Sequence, residues 1–489
     1  MMRIRLATGL ALAFVIGLGA CTSGRDVARL ENPKAVASPG TITFGGVLER
    51  PGRSSAPGAT RYVFHTHGMG LTNADQDLIA PLKAAFGLAG YALVETTGWQ
   101  DSPTEVPHAF IGEALPCPPG ATRKPCLFNE FGVIRVDRYF RSRDNARVVV
   151  FNYFWHGDLW SLQKPFLHQD LEGLKSGFGG WKAGAWSGGL KKQIVNEGLS
   201  DVAAYLGPAG EPLRQGMSTA VCALLREAAS GQRFQVSDLT PSLSRKPSEC
   251  LDQGQAERLL EGDTRIAFIS HSLGSRMLFD VLADQPDRTG GRAPPGLGLV
   301  ATRQVTDTFI MAANQVSLLG IGRIKAVAPP VNANLPPNPD LKSQLTPPDA
   351  CPDSLPDFLA VDCTLGLPPS MASNKGLAGL SAKAAAAYKN PRMLDIVGFF
   401  DPGDVLGYSL EGGRTEGTVP STIRFLSVLH RNTHQLAWKG SLPHLAHDRE
   451  LALKPGGRDF VSPRAVALIL CGGVSDDQGG LAPGTCLSR

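Results

Sequence analysis

The stretch from Thr264 to Asp284, TRIAFISHSLGSRMLFDVLAD, constrains the fold more than any other part of the chain. It opens with the apolar run Ile266-Ala267-Phe268-Ile269 and turns through Ser270-His271-Ser272-Leu273-Gly274-Ser275. It then places Met277, Leu278, Val281 and Leu282 at helical spacing. The pattern predicts a strand, a sharp turn and a helix. A turn this tight needs small residues two before and two after its tip. Around Ser272 those residues are Ser270 and Gly274, so the local pattern is S-x-S-x-G. One reading makes Ser272 a reactive side chain on a strained corner. The other makes the serines caps for the helix N-terminus.

The N-terminus reads as a targeting segment, residues 1–20. Arg3 and Arg5 give a positive start, and Leu6 to Leu18 give an apolar stretch too short for a membrane span. Leu18-Gly19-Ala20-Cys21 follows and resembles a bacterial lipobox. That resemblance implies cleavage before Cys21, a lipid on Cys21 and anchoring in the cell envelope. Thr22 stands where an Asp would favour inner-membrane retention, which implies the outer membrane in a Gram-negative host. An ordinary signal peptide with an incidental Cys is the alternative.

Export fits the cysteines. Cys21 set aside, eight remain: Cys117, Cys126, Cys222, Cys250, Cys351, Cys363, Cys471 and Cys486. An even number in an oxidising compartment suggests disulfides. Pairing neighbours in sequence is one proposal among many connectivities. No C-x-x-C occurs, and the spacings do not resemble a zinc site. Net charge is only +4, with no dense Lys/Arg run, which argues against a nucleic-acid partner.

Residues 21–58 are rich in Gly, Pro and Ser and read as a tether, with an edge strand expected at 41–44. Strands are expected at Arg61–His67, Tyr91–Glu95, Arg147–Tyr153, Thr308–Ala312, Met393–Phe400 and Ile423–Leu429, besides the one before Ser272. Helical patterns fall near 75–88, 217–228 and 463–470. Two insertions stand out, at about 155–262 and 329–390. The first carries Trp155, Trp160, Trp181 and Trp186 among glycines. Its aromatic residues suit an acyl pocket, a membrane interface or ordinary packing. Residues 476–489 read as a tail.

The strand–Ser–helix element resembles the nucleophile elbow of α/β-hydrolases of the lipase and esterase type. The resemblance spans about 59–475. It implies an α/β-hydrolase fold, with a mostly parallel central sheet, helices on both faces and large insertions. It also implies the chain order Ser, acid, His. Asp404, followed by Val405-Leu406, resembles the acid signature of many lipases, and Asp401 is the alternate; both follow the expected strand at 393–400. His447 in Pro443-His444-Leu445-Ala446-His447 resembles the base of esterase-like proteins, with His444 and His434 left open. His67-Gly68-Met69-Gly70 resembles the oxyanion element, so the N–H groups of Met69 and Leu273, with Gly68 giving close approach, are expected to face the oxyanion. His65 and His67 also form H-x-H, but the sequence offers no carboxylate in the metallohydrolase manner, so no metal and no other cofactor is expected.

The reading is an exported, lipid-anchored serine hydrolase. It would cleave an acyl ester by Ser272, His447 and Asp404 through an acyl-enzyme. The alternative is a non-catalytic envelope lipoprotein that keeps the scaffold as a binding module.

Overall fold

The computed structural model describes residues 29–31, 46–48, 60–68, 82–83, 86–87, 89–98, 110–111, 132–155, 167, 199–207, 210–235, 238, 250–283, 297–312, 381–382, 384, 394–400, 423–429, 474–475 and 480–481. The expected edge strand at 41–44, the helical pattern at 463–470 and most of that at 75–88 lie outside them.

The strands are β1 (Arg29–Glu31), β2 (Thr60–Thr66), β3 (Ala92–Gly98), β4 (Phe110–Ile111), β5 (Gly132–Arg141), β6 (Ala146–Phe154), β7 (Arg265–His271), β8 (Thr306–Ala312), β9 (Leu394–Phe400) and β10 (Ile423–Leu429). All ten join one sheet, ordered β1-β10-β9-β8-β7-β2-β6-β5-β3, with β4 on β5. A separate two-stranded ribbon pairs β11 (Val474–Ser475) with β12 (Gly480–Leu481). From β6 to β10 every neighbouring pair is parallel. Antiparallel pairing is confined to β1 at one end and to β3, β4 and β5 at the other. The sheet is therefore mixed and mostly parallel, as an α/β fold requires. β1 falls within the stretch expected to be a tether and pairs with β10 instead.

Helices α1 (Ser200–Leu206), α2 (Gly210–Ser230), α3 (Gln253–Glu261), α4 (Leu273–Ala283) and α5 (Leu297–Val305) connect these strands. α2 packs on β2, β5 and β6 and on the helices α3 and α4, while α5 packs on α3, β7 and β8. α3 starts at a capping box. The Asp252 carboxylate accepts from the Gln255 N–H at 2.7 Å, and the Gln255 side chain accepts from the Asp252 N–H at 3.0 Å.

Register follows the apolar pattern. Phe64, Phe268 and Phe309 are paired residues on β2, β7 and β8, all buried, with ring centroids 6.1 and 5.8 Å apart in turn. A slip of one residue would carry each ring to the opposite face. Each buried phenylalanine contributes about 2–3 kcal/mol, so the row pins three parallel strands at a common height. At their bases the Arg61 guanidinium on β2 spans β7 to Asp307 on β8, donating two bonds of 2.9 and 2.6 Å. The row and the clasp level the far ends of β2, β7 and β8, where the candidate site lies.

β5 was missing from the expected strands. Its sequence GVIRVDRYFR carries Arg135, Asp137, Arg138 and Arg141, all buried. Internal partners make that tolerable: Arg135 donates to Asp137 at 2.9 Å, and Arg138 to Glu227 on α2 at 2.8 Å.

Candidate active site

Parallel strands bring their C-terminal ends to one edge of the sheet, which is where open α/β sheets place ligands. Across that edge the chain leaves β6 at Trp155, β2 at His67, β7 at Ser272 and β8 after Ala312. β9 is the next strand and ends at Phe400, immediately before Asp401 in sequence.

Ser272 is the single residue between β7 and α4, with a φ of 50°. Left-handed backbone costs a non-glycine residue roughly 1–2 kcal/mol and persists only where its surroundings enforce it. Here the Ser272 N–H donates to the Ala312 carbonyl at 2.8 Å, and the Ser275 N–H donates to the Ser272 carbonyl at 3.0 Å. The turn is thus tied to β8 on one side and to the first turn of α4 on the other. Leu273 opens that helix, so its N–H belongs to the helix terminus, where the dipole favours negative charge.

Ser270 explains the S-x-S-x-G departure. Its side chain is fully buried. The hydroxyl donates to the Ile310 carbonyl at 3.2 Å and shares a hydrogen bond of 3.0 Å with the Ser275 hydroxyl. The extra oxygen is therefore paired and crosslinks β7, β8 and α4.

The end of β2 lies directly on this turn. A Cβ added to Gly68 would come within 2.4 Å of His271 Nδ1 and 2.6 Å of Ser272 Cβ. A Cβ on Gly274 would come within 2.1 Å of the His67 carbonyl oxygen. Both positions accept only glycine without a backbone shift. The structure thus brings together three pieces read separately in the sequence: His67-Gly68, Ser272 and the Leu273 helix start.

His67 is held from several sides. Its ring stacks on the Trp155 indole, with centroids 4.8 Å apart and planes inclined by 9°. Its Nε2 accepts from the Trp155 backbone N–H at 3.1 Å, and its carbonyl accepts from the Trp155 Nε1–H at 3.3 Å. Its Nδ1 lies 2.6 Å from the Gly68 carbonyl oxygen.

A buried polar chain runs beneath. His65 Nδ1 donates to Asn152 Oδ1 at 3.0 Å, and Asn152 Nδ2 donates to Asp137 at 3.2 Å. Asp137 also accepts from Thr96 at 2.8 Å and from Arg135. Burial holds the His65 imidazole down to about 4, against the Asn152 hydrogen bond that raises it, with nearby His271 lowering it further. Neutral His65 presents a buried Nε2 lone pair with no hydrogen-bond partner among the described residues.

No family model, no curated protein and no solved structure matches the chain. Asp404, Asp401, His447, His444 and His434 lie outside the described residues, as do Met69, Cys21, Cys117, Cys126, Cys351, Cys363, Cys471 and Cys486. Cys222 on α2 and Cys250 ahead of α3 are both buried in one apolar cluster, and the Cys250 carbonyl accepts from Arg226, one helical turn beyond Cys222. Among the described residues no three His, Cys, Asp or Glu side chains are placed to hold a metal ion, and none of the helices is long and apolar enough to cross a membrane.

Two participants were not singled out by sequence reasoning. Trp155 was read only as the first aromatic residue of an insertion. Asn152 was read only as part of a strand, although a lone amide in the apolar run VVVFNYF is the signal of a buried polar contact.

Proposed function

We propose that the chain is a serine hydrolase of the α/β-hydrolase type that cleaves carboxylic esters through an acyl-enzyme. The observation that carries this reading is the left-handed φ of 50° at Ser272, between a central parallel strand and a helix. A capping serine needs no such torsion; a nucleophile raised on a strained corner does. The approach of Gly68 to Ser272 supports an oxyanion site made by the Leu273 N–H and the N–H that follows Gly68, that of Met69. In this reading His447 takes the Ser272 proton and returns it to the leaving alcohol, and Asp404 orients His447, with Asp401 as the alternate acid. The residues invoked need neither metal nor organic cofactor. The reading extends to an exported lipoprotein anchored through Cys21, with outer-membrane placement in a Gram-negative host and disulfides among the other eight cysteines.

The test is labelling with a fluorophosphonate. Wild type should label on Ser272, and Ser272→Ala should not label. Absence of labelling from folded wild-type protein would sink the enzymatic reading.

One observation favours the alternative, a scaffold retained for binding. Ser272 and His271 are 0% and 3% exposed, as in a purely structural corner. A folded protein that neither labels nor turns over p-nitrophenyl esters would support that reading.

A further inference from the structure

We infer that the edge of the sheet carrying Ser272 faces the membrane that holds the Cys21 lipid, and that the esters this site meets are carried in that same membrane. The inference rests on the proposed hydrolase and lipoprotein reading and adds two things to it, the orientation of the site and the class of its substrate.

The register of the sheet carries it. β1 is the first described element after Cys21, and it pairs antiparallel with β10, Arg29 opposite Leu429. Leu429 pairs with Phe400 on β9, Phe399 with Ala312 on β8, and Ala312 with His271 on β7. Arg29 and His271 thus stand in one row across the C-terminal ends of the parallel strands. Ser272 extends that row, since its N–H donates to the Ala312 carbonyl at 2.8 Å. Four strand spacings separate β1 from β7, or roughly 20 Å along the row. Because β1 runs against β10, the end where the connection from Cys21 arrives lies on the Ser272 edge. A first strand parallel to β10 would have opened at the far edge.

Chain length then selects the orientation. Seven residues, 22–28, separate Cys21 from Arg29. Fully extended, that connection spans at most about 28 Å. With the Ser272 edge on the bilayer, it runs from Arg29 straight to the lipid. With the opposite edge on the bilayer, it would first have to run back along the seven residues of β10, about 20 Å. Less than about 10 Å would then remain to clear that edge and reach the lipid. The short connection therefore disfavours a site that looks away from the membrane. A tether of this reach also keeps the site at high effective concentration over the lipid surface. An ester in water gains nothing from that, and an ester lodged in the bilayer does.

The experiment uses the full lipidated chain in vesicles of phosphatidylethanolamine and phosphatidylglycerol. Two substrates share one leaving group: p-nitrophenyl palmitate enters the bilayer, and p-nitrophenyl acetate stays in water. Inserting about twenty Gly and Ser residues after Gly24 should lower palmitate turnover by about fivefold or more, since effective concentration falls roughly as the −3/2 power of linker length. Acetate turnover should not change. Unchanged palmitate rates, or equal losses on both esters, overturn the substrate claim. Orientation has its own readout. Arg143 is exposed in the turn between β5 and β6, at the edge opposite Ser272. With Arg143 replaced by a clickable residue bearing a dye, energy transfer to rhodamine-labelled lipid should be weak with the native linker and stronger after the insertion. Strong transfer with the native linker overturns the orientation, whatever the insertion does to turnover. If Cys21→Ser stays on the vesicles as wild type does, the lipid anchor falls and the inference with it. If folded wild type fails to label with fluorophosphonate, the hydrolase reading and the substrate claim fall, while energy transfer still judges the orientation.

Discussion

The carbonyl oxygen of His67 occupies the space that a side chain at Gly274 would need, 2.1 Å from its Cβ position. The turn that leaves β2 and the first turn of α4 therefore meet backbone to backbone. Gly274→Ala should force β2 off α4 and lower stability by about 1–3 kcal/mol, the usual cost of overpacking. Gly68→Ala should act alike, and it would also press on Ser272 itself. Urea denaturation gives the stability change, and fluorophosphonate labelling rates give the effect on the proposed nucleophile, Ser272. An alanine at either place that leaves both measurements unchanged contradicts the packing described.

Ser270→Gly restores the more usual glycine but removes a buried hydroxyl bonded to Ile310 and Ser275. The Ile310 carbonyl keeps its other lone pair, so the loss should be modest, about 1–2 kcal/mol. Labelling of Ser272 should persist. A gain in stability would mean that the serine is a liability in the turn and not a crosslink.

His65 gives a signed pH dependence. An unfolded histidine titrates near 6.5, and burial holds His65 to about 4. Between those values the unfolded chain binds a proton that the folded chain does not. Stability therefore rises with pH across that window and is flat in this term above it. Acidification through the window should cost on the order of 3 kcal/mol. Denaturation midpoints of wild type and His65→Gln compared at several pH values read this out, and the variant should lose that part of the slope. Parallel slopes in the two proteins would remove His65 as the cause.

The parallel strands were legible because each is a short apolar run. The runs at 147–153, 308–312 and 423–429 became β6, β8 and β10 with shifts of two residues or fewer at any boundary. The elbow was legible because its turn needs small residues at fixed offsets. β5 was not, since four charged residues in a row of ten read as surface until Glu227 and the pairing of Asp137 with Arg135 are known. The His67 clamp was equally hidden. Its partner lies 88 residues away in sequence, and only the adjacency of β2 and β6 reveals it. That adjacency is non-local, so no window along the chain carries it.

Deep in the helical layer, the Tyr205 hydroxyl on α1 donates to the Asp280 carboxylate on α4, which also accepts from Arg276 Nε at 3.1 Å. All three side chains are buried. Tyr205→Phe keeps the ring and should cost about 1–3 kcal/mol. Asp280→Ala leaves the Arg276 cation buried without its carboxylate and should cost more, about 3–5 kcal/mol. Melting temperatures should rank wild type, then Tyr205→Phe, then Asp280→Ala. The reverse order of the two variants would show that the phenol, and not the ion pair, holds α1 to α4.

The torsion at Ser272 sets two kinds of selection against each other. A φ of 50° is open to glycine and tolerable for asparagine, and it is uphill for serine. A library of all residues at 272 sorted for folding alone should drift toward glycine and asparagine. The same library sorted for ester turnover should return serine every time. If the fold-sorted pool also keeps serine, the corner is held for architecture, and the lineage can have lost its chemistry without any mark at this position.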